Sequence, residues 1–474
     1  MYRISYILKN SNGGINNGAQ MVKEIYGMFD SIQKFRECGF VGRLEDVPAL
    51  AKAFKQLLAQ IRHVAGTVVE GANLRTICAP DDGLKGAQRQ ILDQLGGIPS
   101  HHAAHGFIRG RDSMTCASAH TSYWGERPSS LVILNMDAKN FFPSITSQVV
   151  RRALAANHVP EGVINKAVIL CMAHADESMA SAVIDGLFRL VNMGLLRSAA
   201  RDITDEALNG IHRRMTDLFS GSTVTDMPDG SVRKLAFAIC QGFLSLGPSV
   251  TMVNKFLPQG APTSPFLSNM AMKIVDIRLH AMAASFGGFY TRYADDLTVS
   301  WPAGTKGKII DGMYRCATET LKEYGVAMNR RKKRVMGTGV RQDIVGLCVN
   351  SGLPTVSRTK RMRIRAAIHN ELVRGSQNFR TNKRKPAKFE NYNSKTPSFQ
   401  RTAFLMGHIG YVGSAHPGEA EKYKWMMRNA MHPVDGPSFD LHSSTIEHND
   451  FATAGAEGIG GVSEFFFHPP EEAG

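Results

Sequence analysis

Phe289-Tyr-Thr-Arg-Tyr-Ala-Asp-Asp-Leu-Thr-Val-Ser300 sets two adjacent aspartates between two runs of strand character. Phe, Tyr, Thr and Val suit a pleated sheet, and the break at Ala294-Asp295-Asp296 reads as a tight hairpin turn. Two carboxylates side by side at such a tip repel each other. A hard divalent cation offsets the repulsion, because Mg²⁺ prefers carboxylate and phosphate oxygens. By itself an Asp-Asp turn is more often a plain solvated turn than a metal site, so residues elsewhere must decide.

Outward toward the N-terminus, Leu131-Val-Ile-Leu-Asn-Met-Asp137 is an apolar run of strand length that ends on a third carboxylate. Two-metal phosphoryl transfer needs carboxylates from separate strands, bridging ions about 3.5–4 Å apart. A strand-end Asp137 with a hairpin pair Asp295-Asp296 supplies that layout. Between them lies Leu257-Pro-Gln-Gly-Ala-Pro-Thr-Ser-Pro-Phe-Leu-Ser-Asn269. Gly260 frees the backbone for a close approach, Gln259 offers an amide, and Ser264-Pro265 suits a helix start. On spacing alone this block reads equally well as a nucleotide pocket and as a Pro-rich loop that caps a helix.

The wider chain agrees with a nucleic-acid enzyme. Its 56 Lys and Arg against 41 Asp and Glu give a net charge of +15, which suits nucleic acid or an acidic membrane. No run of about 18 apolar residues appears, so we expect no membrane partner. The N-terminus carries no secretory signal pattern. Seven scattered Cys without C-x-x-C spacing read as reduced thiols of a cytoplasmic protein. His101, His102, His105, Cys116 and His120 fit no structural zinc spacing.

Four regions emerge. Residues 1–70 read as a helical extension, with helical spacing clearest over 47–61. Residues 71–350 carry the motifs, with helix expected over most of 146–256, an amphipathic helix over 307–325, and a further strand at Ile344-Val-Gly-Leu-Cys-Val-Asn350. Residues 351–432 turn basic: 358–401 holds thirteen Lys or Arg against Glu371 and Glu390. Residues 433–474 are acidic, without Lys or Arg, and read as a flexible tail.

Asp137 with Phe141-Phe142, then Pro258-Gln-Gly with Ser264-Pro265, then Tyr293-Ala-Asp-Asp296, in this order, resembles the palm of reverse transcriptases. More narrowly, the chain resembles the bacterial retron-type family. Leu84-Lys-Gly-Ala-Gln-Arg-Gln-Ile-Leu92, His105-Gly-Phe-Ile-Arg-Gly-Arg-Asp-Ser113, Asn329-Arg-Arg-Lys332 and Arg341-Gln-Asp-Ile-Val-Gly-Leu-Cys-Val-Asn350 support this. The resemblance spans roughly residues 70 to 430 and implies an α+β right-hand polymerase of fingers, palm and thumb, with an antiparallel palm sheet and a helical thumb. Fingers and palm would fill 71–350 and a basic thumb 351–432.

The resemblance also implies roles. Asp137 and Asp295 would bind two Mg²⁺ ions (Mn²⁺ substituting), Asp296 would assist, and the Ala138 carbonyl would complete a metal shell. Phe142 would be the steric gate that favours dNTP over NTP, with Gln259 and Gly260 lining the pocket and Arg75 reaching the triphosphate. Lys332 would sit near the leaving pyrophosphate as proton donor. Tyr293 and Ala294 would lie at the primer end, while Arg109, Arg111, Arg361, Arg365, Lys383, Arg384 and Lys385 would hold primer and template. Partners would be a structured noncoding RNA template, the DNA product, dNTPs and an accessory defence protein, in a setting of anti-phage defence.

Two signatures leave open whether the chain is a retron enzyme or a related defence-associated one. Cys116-Ala-Ser-Ala-His120 stands where retron enzymes commonly show Asn-Ala-x-x-His, and Ile344-Val-Gly346 stands for Val-Thr-Gly. The alternatives are a group II intron-like reverse transcriptase and a non-catalytic RNA-binding scaffold or toxin partner that keeps the polymerase fold. Oligomeric state leaves no mark in the sequence.

Overall fold

Two strands far apart in sequence open the chain in the computed structural model, which describes residues 2–9, 73–124, 131–190, 233, 236–237, 239–241, 244–374 and 398–431. β1 (Tyr2–Lys9) pairs antiparallel with β2 (Asn73–Pro80), Tyr2 opposite Pro80 and Ile7 opposite Arg75. Residues 2–9 are therefore strand, where the sequence reading expected helix across 1–70. Tyr-Arg-Ile-Ser-Tyr-Ile is rich in sheet-favouring residues at period two, and the edge of β2 lets that preference win. The helical stretch expected over 47–61, part of the basic segment (375–397) and the tail over 433–474 lie outside the described residues.

Local signals then fix two helices. α1 (Asp82–Leu95) is capped by Asp81, whose carboxylate accepts from the Leu84 N–H at 2.9 Å. α2 (Ser113–Tyr123) starts on a capping box between Asp112 and Thr115.

β3 (Leu131–Lys139) is the centre of a five-stranded antiparallel sheet. Four helices follow it: α3 (Phe141–Ser144), α4 (Ser147–Ala156), α5 (Glu161–Cys171) and α6 (Glu177–Leu190). The long α7 (Ser264–Ser285) leads into β4 (Phe289–Tyr293) and β5 (Asp296–Pro302). After α8 (Gly307–Glu323), which meets the expectation for 307–325, come β6 (Ala327–Met328) and β7 (Arg334–Met336). The sheet runs β4-β5-β3-β6, with β7 also on β3.

Period-two alternation along β3 serves two cores. Leu134, Met136 and Ala138 enter a cluster built with Val150 and Leu154 of α4, Ile164 of α5, Leu267 and Val275 of α7, and Met313 and Leu321 of α8. Leu131 and Ile133 point the other way, into a cluster with Cys116 and Ala117 of α2. Burying one Leu or Ile contributes about 1.5–3 kcal/mol relative to exposure. A one-residue slip would reverse every side chain, so the register is strongly specified.

The second core continues into three further helices, α9 (Arg358–Arg374), α10 (Ser398–Gly413) and α11 (Pro417–Met431). They meet through Ile364, Ile368, Leu405, Ile409 and Tyr423. The single strand expected at 344–350 is instead a small hairpin, β8 (Asp343–Ile344) against β9 (Leu347–Cys348). Val345 (φ 48°) and Gly346 (φ 81°) are both left-handed, as a two-residue hairpin turn requires, and they break the run.

Candidate active site

The β3–β5 register brings the three carboxylates together. Asp137 lies directly opposite Asp296, and Tyr293 opposite Asp296 across β4–β5 leaves a two-residue turn of Ala294 and Asp295. Ala294 adopts φ 56°, the left-handed conformation this tight reversal needs. The Ala138 N–H donates to the Asp295 carbonyl at 2.9 Å, which ties the turn to the end of β3.

Asp137 is 4% exposed, and both its oxygens are engaged. Asn329 Nδ2 donates to Oδ1 at 2.9 Å and Lys332 Nζ to Oδ2 at 2.5 Å. Burial, then the charges of Asp295 and Asp137, push the Asp296 carboxyl up to about 6, and Lys332 opposes this. Among the described residues no three His, Cys, Asp or Glu side chains converge into a metal cage as they stand. The donor set nevertheless fits a divalent cation. It is all oxygen, carries excess negative charge, and Asp137 has already drawn in an ammonium group.

The pocket block lies against the β2 strand. Cys78 N–H donates to the Gln259 carbonyl at 2.7 Å. Gly260 has φ 116°, and a Cβ there would meet Ile77 Cγ2 at 2.6 Å, so both conformation and space demand glycine. Ser264 Oγ donates to the Pro258 carbonyl at 2.5 Å, folding the block onto the start of α7 with Pro265 in its first turn. Arg75 stands on β2. Phe142, half-buried in α3, has its ring centroid 5.4 Å from Phe141 and 5.9 Å from Phe107.

Several basic residues take unexpected positions. Arg111, expected on template phosphates, donates through Nη1 to the carbonyls of His102 (2.7 Å) and Ala104 (2.6 Å) and so braces its own loop. Arg361 is half-buried and paired with Glu419, which also accepts from the Tyr423 hydroxyl. Its charge is used inside the helical core, because α11 brings an acid to it. Arg109 and Arg365 are exposed, as phosphate contacts must be. Lys383, Arg384 and Lys385 lie outside the described residues.

Sequence reasoning missed what lies beneath the turn. Arg292 and Asp276 are fully buried, 2.7 Å apart, and Asn269 is 1% exposed. Their signal was present: Arg292 and Tyr290 share the inward face of β4, and Asp276 interrupts an apolar stretch of α7. Asn329, quoted only for resemblance, turns out to hold Asp137.

The histidines act as staples. His120 is fully buried, Nδ1 2.7 Å from Ser300 Oγ and Nε2 2.8 Å from Thr291 Oγ1, joining α2 to the β4–β5 hairpin. Burial, then His105, pulls its pKa down to about 3. The unfolded chain therefore takes up a proton below about pH 6.5 that the folded chain refuses. Stability is full above that value and falls as pH drops toward 3, at about 1.4 kcal/mol per pH unit. His101 and His105, both pulled to about 4 mainly by burial, act in the same direction. We expect the melting temperature to fall between pH 7 and pH 5, with a shallower slope in His120→Gln. An unchanged slope would show that His120 is not the titrating group.

Residues 226–364 match the family model described as reverse transcriptase (RNA-dependent DNA polymerase). The chain is similar to the retron Mx162 reverse transcriptase of Myxococcus xanthus, 28% identical over 354 residues, covering 69% of this chain and 59% of that protein. It is also similar to the retron Mx65 reverse transcriptase of Myxococcus xanthus, 29% identical over 366 residues, covering 77% of this chain and 64% of that protein. The chain thus spans less than two thirds of either relative's length. Among solved structures it is similar to telomerase from Candida albicans in complex with a TWJ fragment of telomeric RNA. That likeness has 12% identity and a TM-score of 0.33, and covers 76% of this chain and 53% of the other. The family match and the two curated relatives bear out the resemblance read from the sequence and the right-hand polymerase fold it implied.

Proposed function

We propose that this chain is a retron-type reverse transcriptase, an RNA-directed DNA polymerase that copies a structured noncoding RNA in anti-phage defence. The observation that carries the reading is the register of β3 on β5, which sets Asp137 against Asp296 with Asp295 in the adjoining turn. Fingers and palm occupy 71–350, joined by β1 from the 1–70 extension. The thumb occupies 351–432, and 433–474 is an acidic tail. No described helix is long and apolar enough to cross a membrane, and the cytoplasm is the proposed site of action.

Two Mg²⁺ ions, when bound, would activate the primer 3′-OH and neutralise the leaving pyrophosphate. Asp137 and Asp295 are the proposed main ligands, with Asp296 and the Ala138 carbonyl beside them. Separate backbone elements present these oxygens, so their spacing is fixed before substrate arrives, which is where much of polymerase catalysis lies. Lys332 neutralises Asp137 in the resting protein. Once displaced, it holds a proton at Nζ for the pyrophosphate. Arg75, Gln259 and Gly260 are proposed to receive the dNTP, Phe142 to exclude the ribose 2′-OH, and Tyr293, Ala294, Arg109 and Arg365 to contact primer and template.

The test is to purify the protein, sequence its co-purifying RNA and DNA, and assay dNTP incorporation on a primed RNA with Mg²⁺. Template-dependent DNA synthesis is expected. DNA joined to an RNA 2′-OH would mark the retron reaction, whereas free or protein-linked DNA would move the chain to the related defence enzymes. RNA binding without synthesis would favour the scaffold reading.

A further inference from the structure

We infer that Arg292, Asp276 and Asn269 form a positioning lock beneath the catalytic turn, tying the carboxylates to the helix that carries the nucleotide-pocket block. The inference rests on the polymerase reading above. Arg292 Nε and Nη2 donate to the two oxygens of Asp276 at 2.8 and 2.7 Å, a bidentate pair. Nη2 also donates to Asn269 Oδ1 at 3.0 Å, and Nη1 to the Ala294 carbonyl at 3.1 Å. The Tyr290 hydroxyl donates to Asp276 Oδ1 at 2.9 Å. One guanidinium thus holds the left-handed residue whose conformation aims Asp295 and Asp296.

A second clamp closes from the other side. Asn269 Nδ2 donates to the Gly106 carbonyl at 3.0 Å. Gly106 lies so close to the turn that a Cβ there would be 2.5 Å from the Ala294 nitrogen. The Arg292 N–H donates to the Ala103 carbonyl and the His105 N–H to the Arg292 carbonyl, each at 2.8 Å. Asn269 and Asp276 are seven residues apart on α7, hence on one face. That helix begins four residues after Gly260. The dNTP pocket and the carboxylate turn are therefore mounted on one rigid rod.

Folding alone does not require such a device, because well-packed apolar residues commonly replace a buried ion pair without loss of stability. What apolar residues cannot do is hold the Ala294 carbonyl and orient Asn269 together. Arg292, Asp276 and Asn269 act through the carboxylates and touch no substrate.

The test uses the full-length protein and three variants: Asn269→Ala, Arg292→Lys, and the double variant Arg292→Met with Asp276→Leu. Mn²⁺ binding is read by electron paramagnetic resonance without nucleic acid or dNTP. Primed-template extension gives kcat and KM, and melting gives the folded fraction. Mn²⁺ affinity and kcat are expected to fall about 10- to 100-fold, as for residues that orient metal ligands. KM for dNTP should stay within about twofold, and the double variant should remain folded at the assay temperature although the Tyr290 hydroxyl and Asn269 lose partners. Wild-type Mn²⁺ affinity and kcat in all three variants would overturn the lock and leave the polymerase reading intact. So would losses that vanish once normalised to folded protein. A wild-type protein that neither extends a primer nor loses Mn²⁺ binding on Asp295→Asn would overturn both.

Discussion

Changing Asp295 and Asp296 together to Asn is expected to abolish DNA synthesis while making the metal-free protein more heat-stable above pH 6. The first effect should be on the order of a thousandfold or more in kcat/KM, since metal ligation supplies several kcal/mol of transition-state stabilisation and about 1.4 kcal/mol is tenfold in rate. The second follows from the crowding of Asp296, held at about 6 by burial first and then by its carboxylate neighbours, against an ordinary 3.8. A carboxyl whose folded value exceeds its unfolded one binds more protons in the fold, so stability falls as pH rises through the 3.8–6 window. Asn removes that penalty. The gain should be modest, because Asp296, at the start of β5, is crowded on its Asp137 side but open to solvent on the other, and solvent screens its charge. It should be largest at pH 7–8 and vanish near pH 4 in melting curves taken without divalent ions. If the proposed anti-phage role survives the double change, the function passes to the scaffold alternative.

The second large effect is expected at Phe142. Its ring sits in the four-residue α3, which begins right after the left-handed Asn140 (φ 51°), with Phe141 and Phe107 against it. Replacing Phe142 by Ala removes a rigid wall without touching a carboxylate. The preference for dNTP over NTP should fall by about 100-fold, the scale on which an apolar pocket rejects an added group. DNA synthesis itself should change far less. Single-nucleotide kcat/KM values for dNTP and NTP on one primed template give the ratio. A ratio that does not move would place sugar discrimination on another residue.

The parts legible in the sequence were those whose cause is local. β3, the β4–β5 hairpin and α8 each declare themselves within ten to twenty residues, by period or by turn chemistry, and the three aspartates sit toward the end of β3 and at the hairpin turn. What escaped depended on partners far along the chain. β1 is a strand because β2, some seventy residues later, offers it an edge. Lys332 and Asp137 are 195 residues apart, so their ion pair left no trace in spacing. Arg111 and Arg361 carry the same charge as Arg109 and Arg365, and charge alone does not say whether a carbonyl, an acid or solvent will meet it. The buried Arg292–Asp276 pair was half legible, since charges at inward positions must find each other. Which carbonyl they would also grip is decided only by the folded chain.

The alternation of β3 between two cores has a consequence for how such a chain can change over generations. Inserting or deleting one residue within β3 would swing Asp137 into the apolar interior and Met136 out to the site, so that strand can drift in composition but not in length. The two-residue turn after Tyr293 is bound in the same way. The connections between the helices that follow β3 are bound less tightly, because the cost of closing a loop depends only weakly on its length. Short motifs of frozen length, separated by intervals free to expand, are what such selection leaves behind.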